Sequence, residues 1–102
     1  MATVIVKYTL DKDTPRPEVI AHFNMAAETT FKGMDGLYSK QYCYDKETGN
    51  VYHWHSKQQA EAFFTDELID NFEKIVGVTP TYEILNCLVA VDNRANDIII
   101  HE

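Results

Sequence analysis

One short segment in the middle of the chain concentrates the side chains that could do chemistry. It carries, in order, Asn50, Tyr52, His53, Trp54 and His55. Alternate residues of a β-strand point to the same face, so Asn50, Tyr52 and Trp54 would face one way. The two aromatic rings could stack on an aromatic ligand, and the Asn50 amide could stabilise negative charge developing on a substrate oxygen. We therefore predict catalytic roles for Trp54 and Asn50 and a substrate-binding role for Tyr52.

Each of these side chains also has a purely structural interpretation. Trp54 and Tyr52 could be core residues under the helices, and Asn50 is a common hairpin residue. The aromatic strand could equally bury a contact between subunits. His53 and His55 share the opposite face, where two imidazoles could bind one metal ion. No carboxylate or cysteine nearby completes such a site, so we predict no metal and favour histidines packed in a dimer interface.

Two other regions could supply charge or proton transfer. Lys40 shares one face of a predicted strand with three tyrosines, Tyr38, Tyr42 and Tyr44. It could pair with a phenolate in a cavity, or it could extend past aromatic rings at the edge of the sheet. We predict substrate-binding roles for Lys40 and Tyr42. His22 lies at the margin of the apolar stripe of the first predicted helix, from which it could act as a general base.

The spacing of apolar residues predicts the elements that must position these side chains. The predicted strands are 3–10, 37–44, 51–55 and 81–91, with turns at 11–13 and 45–50. One predicted helix runs from Thr14-Pro15 to Gly33, and a second runs from Ser56 to Gly77 with a break near Thr65-Asp66. The order β-α-β-β-α-β is the split β-α-β arrangement of ferredoxin-like domains. It predicts an α+β fold, with four antiparallel strands and the helices on one face.

The other face of that sheet would remain uncovered in a monomer. It would carry several large apolar side chains, and exposed apolar surface of this extent usually binds a partner. We predict one domain over residues 1–93 and a C-terminal arm over 94–102. The arm contains Ile98-Ile99-Ile100, which a monomer has no obvious place to bury. A homodimer with the arm on the second subunit follows.

Composition excludes several functional classes. The chain has 102 residues and a net charge of −7, and its 9 basic residues are dispersed singly, which disfavours nucleic acid as a partner. No apolar run approaches the roughly 18–20 residues of a membrane span, and no signal peptide is evident. Cys43 and Cys87 match no metal or redox spacing, which favours a reducing, cytoplasmic location. No nucleophile motif, phosphate loop or paired carboxylates support a hydrolase or a nucleotide enzyme.

Several short motifs, in this order and spacing, carry a family resemblance. They are Thr3-Val4-Ile5-Val6-Lys7-Tyr8, Gly36-Leu37 with Lys40, Gly49-x-x-Tyr52-x-Trp54, Ser56-x-x-x-Ala60-x-Ala62-Phe63, and Val89-Ala90-Val91-Asp92-Asn93. Spanning residues 3–93, they resemble the dimeric α/β-barrel superfamily, and within it the small proteins of the YdhR type that are assigned as monooxygenases. The resemblance implies two sheets packed face to face across a dimer, with a pocket between sheet and helices in each subunit.

The resemblance also implies chemistry and site residues. Related antibiotic-biosynthesis monooxygenases oxygenate polycyclic phenols without metal or flavin, which implies no cofactor here. They hold the substrate with an Asn and a Trp four residues apart on the third strand, and Asn50 and Trp54 match that spacing. They also use a Tyr on the following helix, where this chain has Ala60. The heme-degrading branch binds iron through a His on its second helical segment, and this chain has no His between Ser56 and Ile100.

The predicted function is that of a cofactor-independent monooxygenase acting on a small aromatic or enolisable substrate. Trp54, Tyr52 and Asn50 would position the substrate, and Lys40 or His22 would assist charge or proton transfer. Two alternatives remain open at this point. One is a non-catalytic small-ligand-binding or stress-response homodimer, which the missing helix tyrosine favours. The other is an isomerase or decarboxylase that uses the same pocket.

Overall fold

The structure is a computed structural model that describes residues 1–9, 14–45 and 47–101. Ten elements follow one another along the chain: β1 Ala2–Tyr8, α1 Arg16–Ala26, a π-helical turn Ala27–Phe31, β2 Leu37–Tyr44, β3 Thr48–Trp54, α2 Lys57–Phe63, α3 Asp66–Val76, β4 Thr81–Asn86, β5 Val89–Asp92 and β6 Asp97–Ile100. Of the predicted features, Leu10, the turn at 11–13, Lys46 of the second turn and Glu102 of the arm lie outside the described residues.

The first four strands form one antiparallel sheet in the order β2-β3-β1-β4. Helices α1, α2 and α3 place Phe23, Phe63 and Phe72 respectively against tyrosines on one face of this sheet. The predicted α+β class and the antiparallel four-stranded sheet are confirmed. The strand order and helix placement are compatible with a ferredoxin-like fold.

The core lies between this sheet face and the helices. The central strands β1 and β3 bury every second side chain, as the alternation in sequence predicts. The buried residues of the two strands are Ala2, Val4, Val6, Thr48, Asn50, Tyr52 and Trp54. Ala60 of α2 and Phe64, which follows it, pack against these residues from the helix side and complete the buried cluster. Four of the seven strand residues, Thr48, Asn50, Tyr52 and Trp54, have side chains that carry a polar group.

Local sequence signals set the helix boundaries. The Ser56 hydroxyl accepts a hydrogen bond from the Gln59 backbone at 3.1 Å, and the Thr65 hydroxyl accepts one from Leu68, also at 3.1 Å. Gly77 ends α3 with a φ of 88°, a left-handed conformation that glycine adopts at little cost. The predicted break near Thr65 is therefore confirmed as two separate helices. Across the described ranges, no helix is long and apolar enough to cross a membrane.

Two predicted strands have different boundaries in the structure. β3 begins at Thr48 rather than at residue 51, so Asn50 lies inside the strand and pairs with both Val6 and Tyr42. Its interpretation as a hairpin residue was wrong, because the antiparallel ladder with β1 continues to Tyr8 and Thr48. The last predicted strand, 81–91, begins at Thr81 as predicted, but its predicted end was wrong. β4 stops at Asn86, and the chain leaves the sheet there.

Residues beyond β4 form a separate two-stranded hairpin, β5–β6. Val89 pairs with Ile100 and Val91 pairs with Ile98, so these four side chains lie on one face. All four are 57–69% exposed. We call them the hairpin face. The predicted start of the arm at residue 94 falls in the turn between the two strands.

Strand β2 contains an irregularity that changes which residues face the helices. Leu37 pairs with Trp54, but Ser39 pairs with the adjacent His53, so Tyr38 is an extra residue in the ladder. From Lys40 onward the strand is regular, and Lys40 lies opposite Tyr52. The predicted grouping of Tyr38 with Lys40 on one face was therefore wrong at Tyr38. Its ring stacks on His55 at 3.9 Å instead.

Candidate functional site

A cavity of about 430 Å³ lies between the sheet and the helices. Its size is within the range of pockets that bind small organic ligands. Most of its lining is aromatic or aliphatic. The polar side chains that reach it are Tyr8, His22, Lys40, Tyr42, Asn50, Tyr52 and Asn71. We call it the sheet–helix cavity.

Aromatic contacts between layers shape this cavity. Phe23 of α1 stacks on Tyr42 at 4.9 Å, and Phe72 of α3 meets Tyr8 edge to face at 4.8 Å. The two phenylalanines therefore hold α1 and α3 against opposite parts of the sheet. The space between them remains open, and its floor is the pleated surface of β1, β2 and β3. This slot, with its aromatic lining, suits a flat aromatic ligand.

The amine of Lys40 is enclosed by three aromatic rings. Its Nζ lies 3.5 Å from the ring centre of Phe31, 4.0 Å from that of Tyr42 and 4.3 Å from that of Tyr52. Phe31 reaches this position because it ends the π-helical turn, an irregularity that recurs at functional sites. Within the part of the chain that the structure describes, no carboxylate lies within ion-pair distance of Lys40.

Burial lowers the pKa of Lys40 from 10.5 to about 7. Attraction between the ammonium and the three ring faces acts in the opposite direction, because it favours the charged form. The amine can therefore take up or release a proton near neutral pH. A lysine with this property can act as a general base in a way that an ordinary surface lysine cannot.

The buried amine should reduce the stability of the folded protein. Between pH 7 and 10.5 the unfolded chain binds the proton that folded Lys40 has lost, so stability rises with pH across that window. Each pKa unit corresponds to about 1.4 kcal/mol, and ring attraction offsets part of the total. We expect Lys40→Met to raise the free energy of unfolding at pH 6 by on the order of 2 kcal/mol.

Urea denaturation of wild type, Lys40→Met and Lys7→Met at pH 6 and pH 9 would measure this effect. Lys7 is exposed on β1 and serves as the matched control. The gain from Lys40→Met should shrink at the higher pH, and Lys7→Met should change little at either. A Lys40→Met protein that is less stable than wild type at pH 6 would contradict a costly buried ammonium.

Two buried polar atoms near Lys40 have no hydrogen-bond partner among the described residues. They are the Tyr42 hydroxyl and the Asn50 Oδ1. Burial, with a smaller contribution from Tyr8, raises the pKa of Tyr42 to about 12, so its hydroxyl stays protonated at neutral pH. Leaving a buried polar atom unpaired costs about 1–3 kcal/mol. Such atoms in a cavity wall are suited to bind a ligand that completes their hydrogen bonds.

Tyr8 is a site residue that the sequence prediction missed. It lines the cavity beside Asn50 and Thr48. Burial raises the pKa of Tyr8, while hydrogen bonding to Thr48 and Asn50 partly lowers it. The Thr48 Oγ1 and Asn50 Oδ1 nevertheless lack a partner of good hydrogen-bond geometry, so these contacts are loose. The β1–β3 register, which pairs Tyr8 with Thr48, was the signal that could have identified it.

The structure brings most of the predicted site residues together. Lys40, Tyr42, Asn50 and Tyr52 all line the sheet–helix cavity from adjacent strands. His22 also reaches it, but from the rim. Its side chain is 71% exposed, and its Nε2 lies 3.9 Å from Glu18. Four of the six predicted residues thus form one wall, and a fifth lies at the opening.

Trp54 is the predicted residue that the structure places elsewhere. It is 3% exposed, packs on Phe63 at 5.2 Å and lies outside the lining of the cavity. Its indole Nε1 is buried without a partner. The position of α2 explains this placement, because Phe63 and Phe64 cover the end of β3 that carries Trp54. A role for Trp54 in the reaction remains a prediction.

The two histidines of the aromatic strand lie away from the cavity. His53 faces the uncovered side of the sheet, where its Nδ1 is 3.3 Å from the Thr3 hydroxyl. His55 stacks on Tyr38. Residues 1–9, 14–45 and 47–101 contain no cluster of three or more His, Cys, Asp or Glu side chains that could hold a metal ion.

Comparisons with known proteins leave the function to be inferred from the cavity. No protein-family model matches the chain, and no curated protein matches it either.

Proposed function

We propose that this chain is a cofactor-independent monooxygenase that binds a small aromatic or enolisable substrate in the sheet–helix cavity. One observation carries the proposal: a lysine amine that titrates near neutral pH opens on an apolar slot, beside two buried polar atoms without partners. The amine is suited to remove a proton from a weakly acidic ligand, and the Tyr42 hydroxyl can donate a hydrogen bond to the resulting anion.

The lining of the cavity supports an aromatic substrate. Phe23, Phe31 and Phe72 present ring faces and edges from the helices, and the floor adds tyrosines. Stacking and edge contacts of this kind favour a flat, apolar ring system. The few polar groups lie on one wall, so they would fix the orientation of the substrate rather than its bulk affinity.

Lys40 would act as the general base. In its neutral form the amine accepts a proton from an acidic C–H or O–H group of the substrate, and the ammonium then remains next to the anion. The Tyr42 hydroxyl donates a hydrogen bond to the substrate oxygen. The Asn50 amide does the same once it turns its nitrogen toward the cavity. These groups would stabilise charge in a site with a mainly apolar lining.

The oxygen step follows from the carbanion. The substrate carbanion transfers one electron to O₂, which gives a substrate radical and superoxide. These two radicals combine to give a peroxide, which takes the proton from Lys40. Loss of water then leaves a carbonyl group, so that R₂CH₂ and O₂ yield R₂C=O and H₂O. The role of the protein is to position the substrate and to stabilise the anion.

Oxygen consumption with anthrone and with hydroquinones tests this proposal. We expect wild type to consume O₂ above the uncatalysed rate without added metal or flavin. We expect Asn50→Ala to lower kcat/KM by about 10- to 100-fold, because a hydrogen bond to a charged group contributes about 1.5–3 kcal/mol. Saturable binding without oxygen uptake would instead support the non-catalytic ligand-binding alternative.

The same proton-abstracting wall also suits an isomerase or a decarboxylase. In an isomerase Lys40 would supply the base, whereas in a decarboxylase the Lys40 ammonium would protonate the carbanion that the loss of CO₂ leaves. In both reactions the Tyr42 hydroxyl would supply the oxyanion contact. Neither reaction consumes oxygen. Product formed at the same rate under anaerobic conditions would therefore favour this second function over the monooxygenase.

We further propose that the chain acts as a homodimer. The hairpin face and the uncovered side of the sheet both present apolar side chains to solvent, and Leu85 and Leu88 are 50% and 65% exposed. Apolar surface of this extent is typical of an interface. A two-fold symmetric pair would cover the same surface on each copy at once.

A further inference from the structure

The surroundings of Lys40 restrict what its amine can react with. Among the described residues, the ionisable side chains that share the cavity with it are Tyr8 of β1, Tyr42 of β2, Tyr52 of β3 and His22 of α1. None of these four is a carboxylate. Glu28 lines a second, more open cavity of about 450 Å³ that meets the first at Lys40, but it is not within ion-pair distance.

We propose that the Lys40 amine forms a Schiff base with a small aromatic aldehyde or ketone bound in the sheet–helix cavity. This activity is separate from the oxygen chemistry proposed above and requires no oxidant. The nitrogen lone pair attacks the carbonyl carbon to give a carbinolamine. Loss of water then forms the C=N bond, and the carbonyl oxygen leaves with the two protons of the amine.

Three features of the site favour this reaction. First, burial lowers the pKa of Lys40 to about 7, so much of the amine is neutral and nucleophilic at physiological pH. Second, no anionic partner in the described residues holds the amine in its charged form. Third, the Tyr42 hydroxyl stays protonated and lacks a partner, so it can donate a proton to the departing hydroxide.

The rings around the amine define the class of carbonyl compound. Nζ lies against the faces of Phe31, Tyr42 and Tyr52. A carbonyl group bonded directly to an aromatic ring would place its carbon near the amine while the ring occupies the slot. An aliphatic aldehyde would gain less from these contacts. The chemistry therefore indicates an aryl aldehyde or aryl ketone.

Reductive trapping tests the proposal on the full chain. Wild type would be incubated at about pH 7.5 with 4-hydroxybenzaldehyde and sodium cyanoborohydride, and the modified residues mapped by peptide mass spectrometry. We expect Lys40 to be labelled at least about tenfold faster than Lys7, because only about 0.1% of an ordinary lysine is neutral at that pH. Since both residues are in the same chain, this comparison requires no variant to fold.

Variants add a second measurement. Lys40→Arg should abolish the fast labelling, since a guanidinium does not condense with the aldehyde, and Lys7→Arg should leave it unchanged. Labelling of Lys40 no faster than that of Lys7, or no labelling at all, would overturn the proposal. The trapping reaction is run without oxygen, so its result tests the Schiff base independently of the monooxygenase function. Trapping without oxygen uptake in the other assay would remove only the monooxygenase function.

Discussion

Replacing Lys40 with methionine is expected to abolish turnover while leaving the fold intact. General-base catalysis contributes about 10²- to 10⁴-fold to a rate, so we expect kcat/KM for oxygen consumption with anthrone to fall at least about 100-fold. Methionine keeps most of the length and the apolar character of the lysine stem, and the aromatic rings can still pack around it. The loss would therefore reflect the missing amine. Circular dichroism and urea unfolding of the variant would check that the fold is retained.

Two comparisons distinguish general-base catalysis by Lys40 from a role that needs only its positive charge. Lys40→Arg keeps a positive charge but cannot release a proton at neutral pH, so it should be nearly as inactive as Lys40→Met. Lys7→Met removes one positive charge from the exposed side of β1 and should retain activity. If Lys40→Arg retained most of the activity, Lys40 would be an anion partner rather than a base.

The pH profile gives a further test of the same role. Because burial lowers the pKa of Lys40 to about 7, kcat/KM should rise as pH increases through about 7 and then level off. The base is active only after it loses its proton, which fixes this direction. Lys40→Met should lack the inflection. A rate that falls with rising pH through the same range would instead point to a protonated Lys40 as the functional form.

Local sequence signals predicted most of the fold because they act over a few residues. Alternation predicted β1, and the hydroxyls of Ser56 and Thr65 marked the starts of two helices. The errors arose where pairing with a strand distant in sequence determines the boundary of an element. Gly49 and Asn50 are turn-favouring residues, yet pairing with β1 keeps them in a strand. The chain leaves the sheet after Asn86, which pairs with Ala2, and one more backbone hydrogen bond follows, from the Cys87 N–H to the Met1 carbonyl at 2.8 Å.

The site could also be predicted only as far as local sequence signals reach. Residue type and strand phase were enough to group Asn50 with Tyr52, and Lys40 with Tyr42. They could not show that Phe31 would enclose the amine, because that contact depends on the π-helical turn that follows α1. They also could not distinguish Trp54 from its strand neighbours. Its distance from the cavity depends on where α2 crosses the sheet, which is a property of tertiary packing.

Stability and function oppose one another at Lys40. The proposed base works only if its amine is buried, and burial of an ammonium is unfavourable. A sequence under no functional constraint would place an apolar residue at this position, and the protein would be more stable for it. The expected stabilisation by Lys40→Met and its expected inactivity are therefore two consequences of one arrangement. Observing both in a single variant would be stronger support than either alone.

Placing a charge on the hairpin face is expected to dissociate the dimer. Val89, Val91, Ile98 and Ile100 form a continuous apolar patch across β5 and β6. If a second copy buries this patch, an Ile98→Glu carboxylate would lose its hydration without gaining a partner, at a cost of several kcal/mol per subunit. Analytical ultracentrifugation should show wild type at twice the 11.7 kDa of the chain and Ile98→Glu as a monomer.

The matched control for this experiment is the same substitution on another surface. Ile20 lies on α1 and is 57% exposed, so Ile20→Glu adds the same charge away from the hairpin and should leave the dimer intact. A monomeric wild type would exclude the dimer. A dimer that withstands Ile98→Glu would move the interface to the uncovered sheet face around Leu85. The sheet–helix cavity lies on the opposite side of the sheet from Leu85, so an interface around Leu85 would not cover it. Turnover by a monomeric Ile98→Glu variant would therefore show that each subunit carries a complete site.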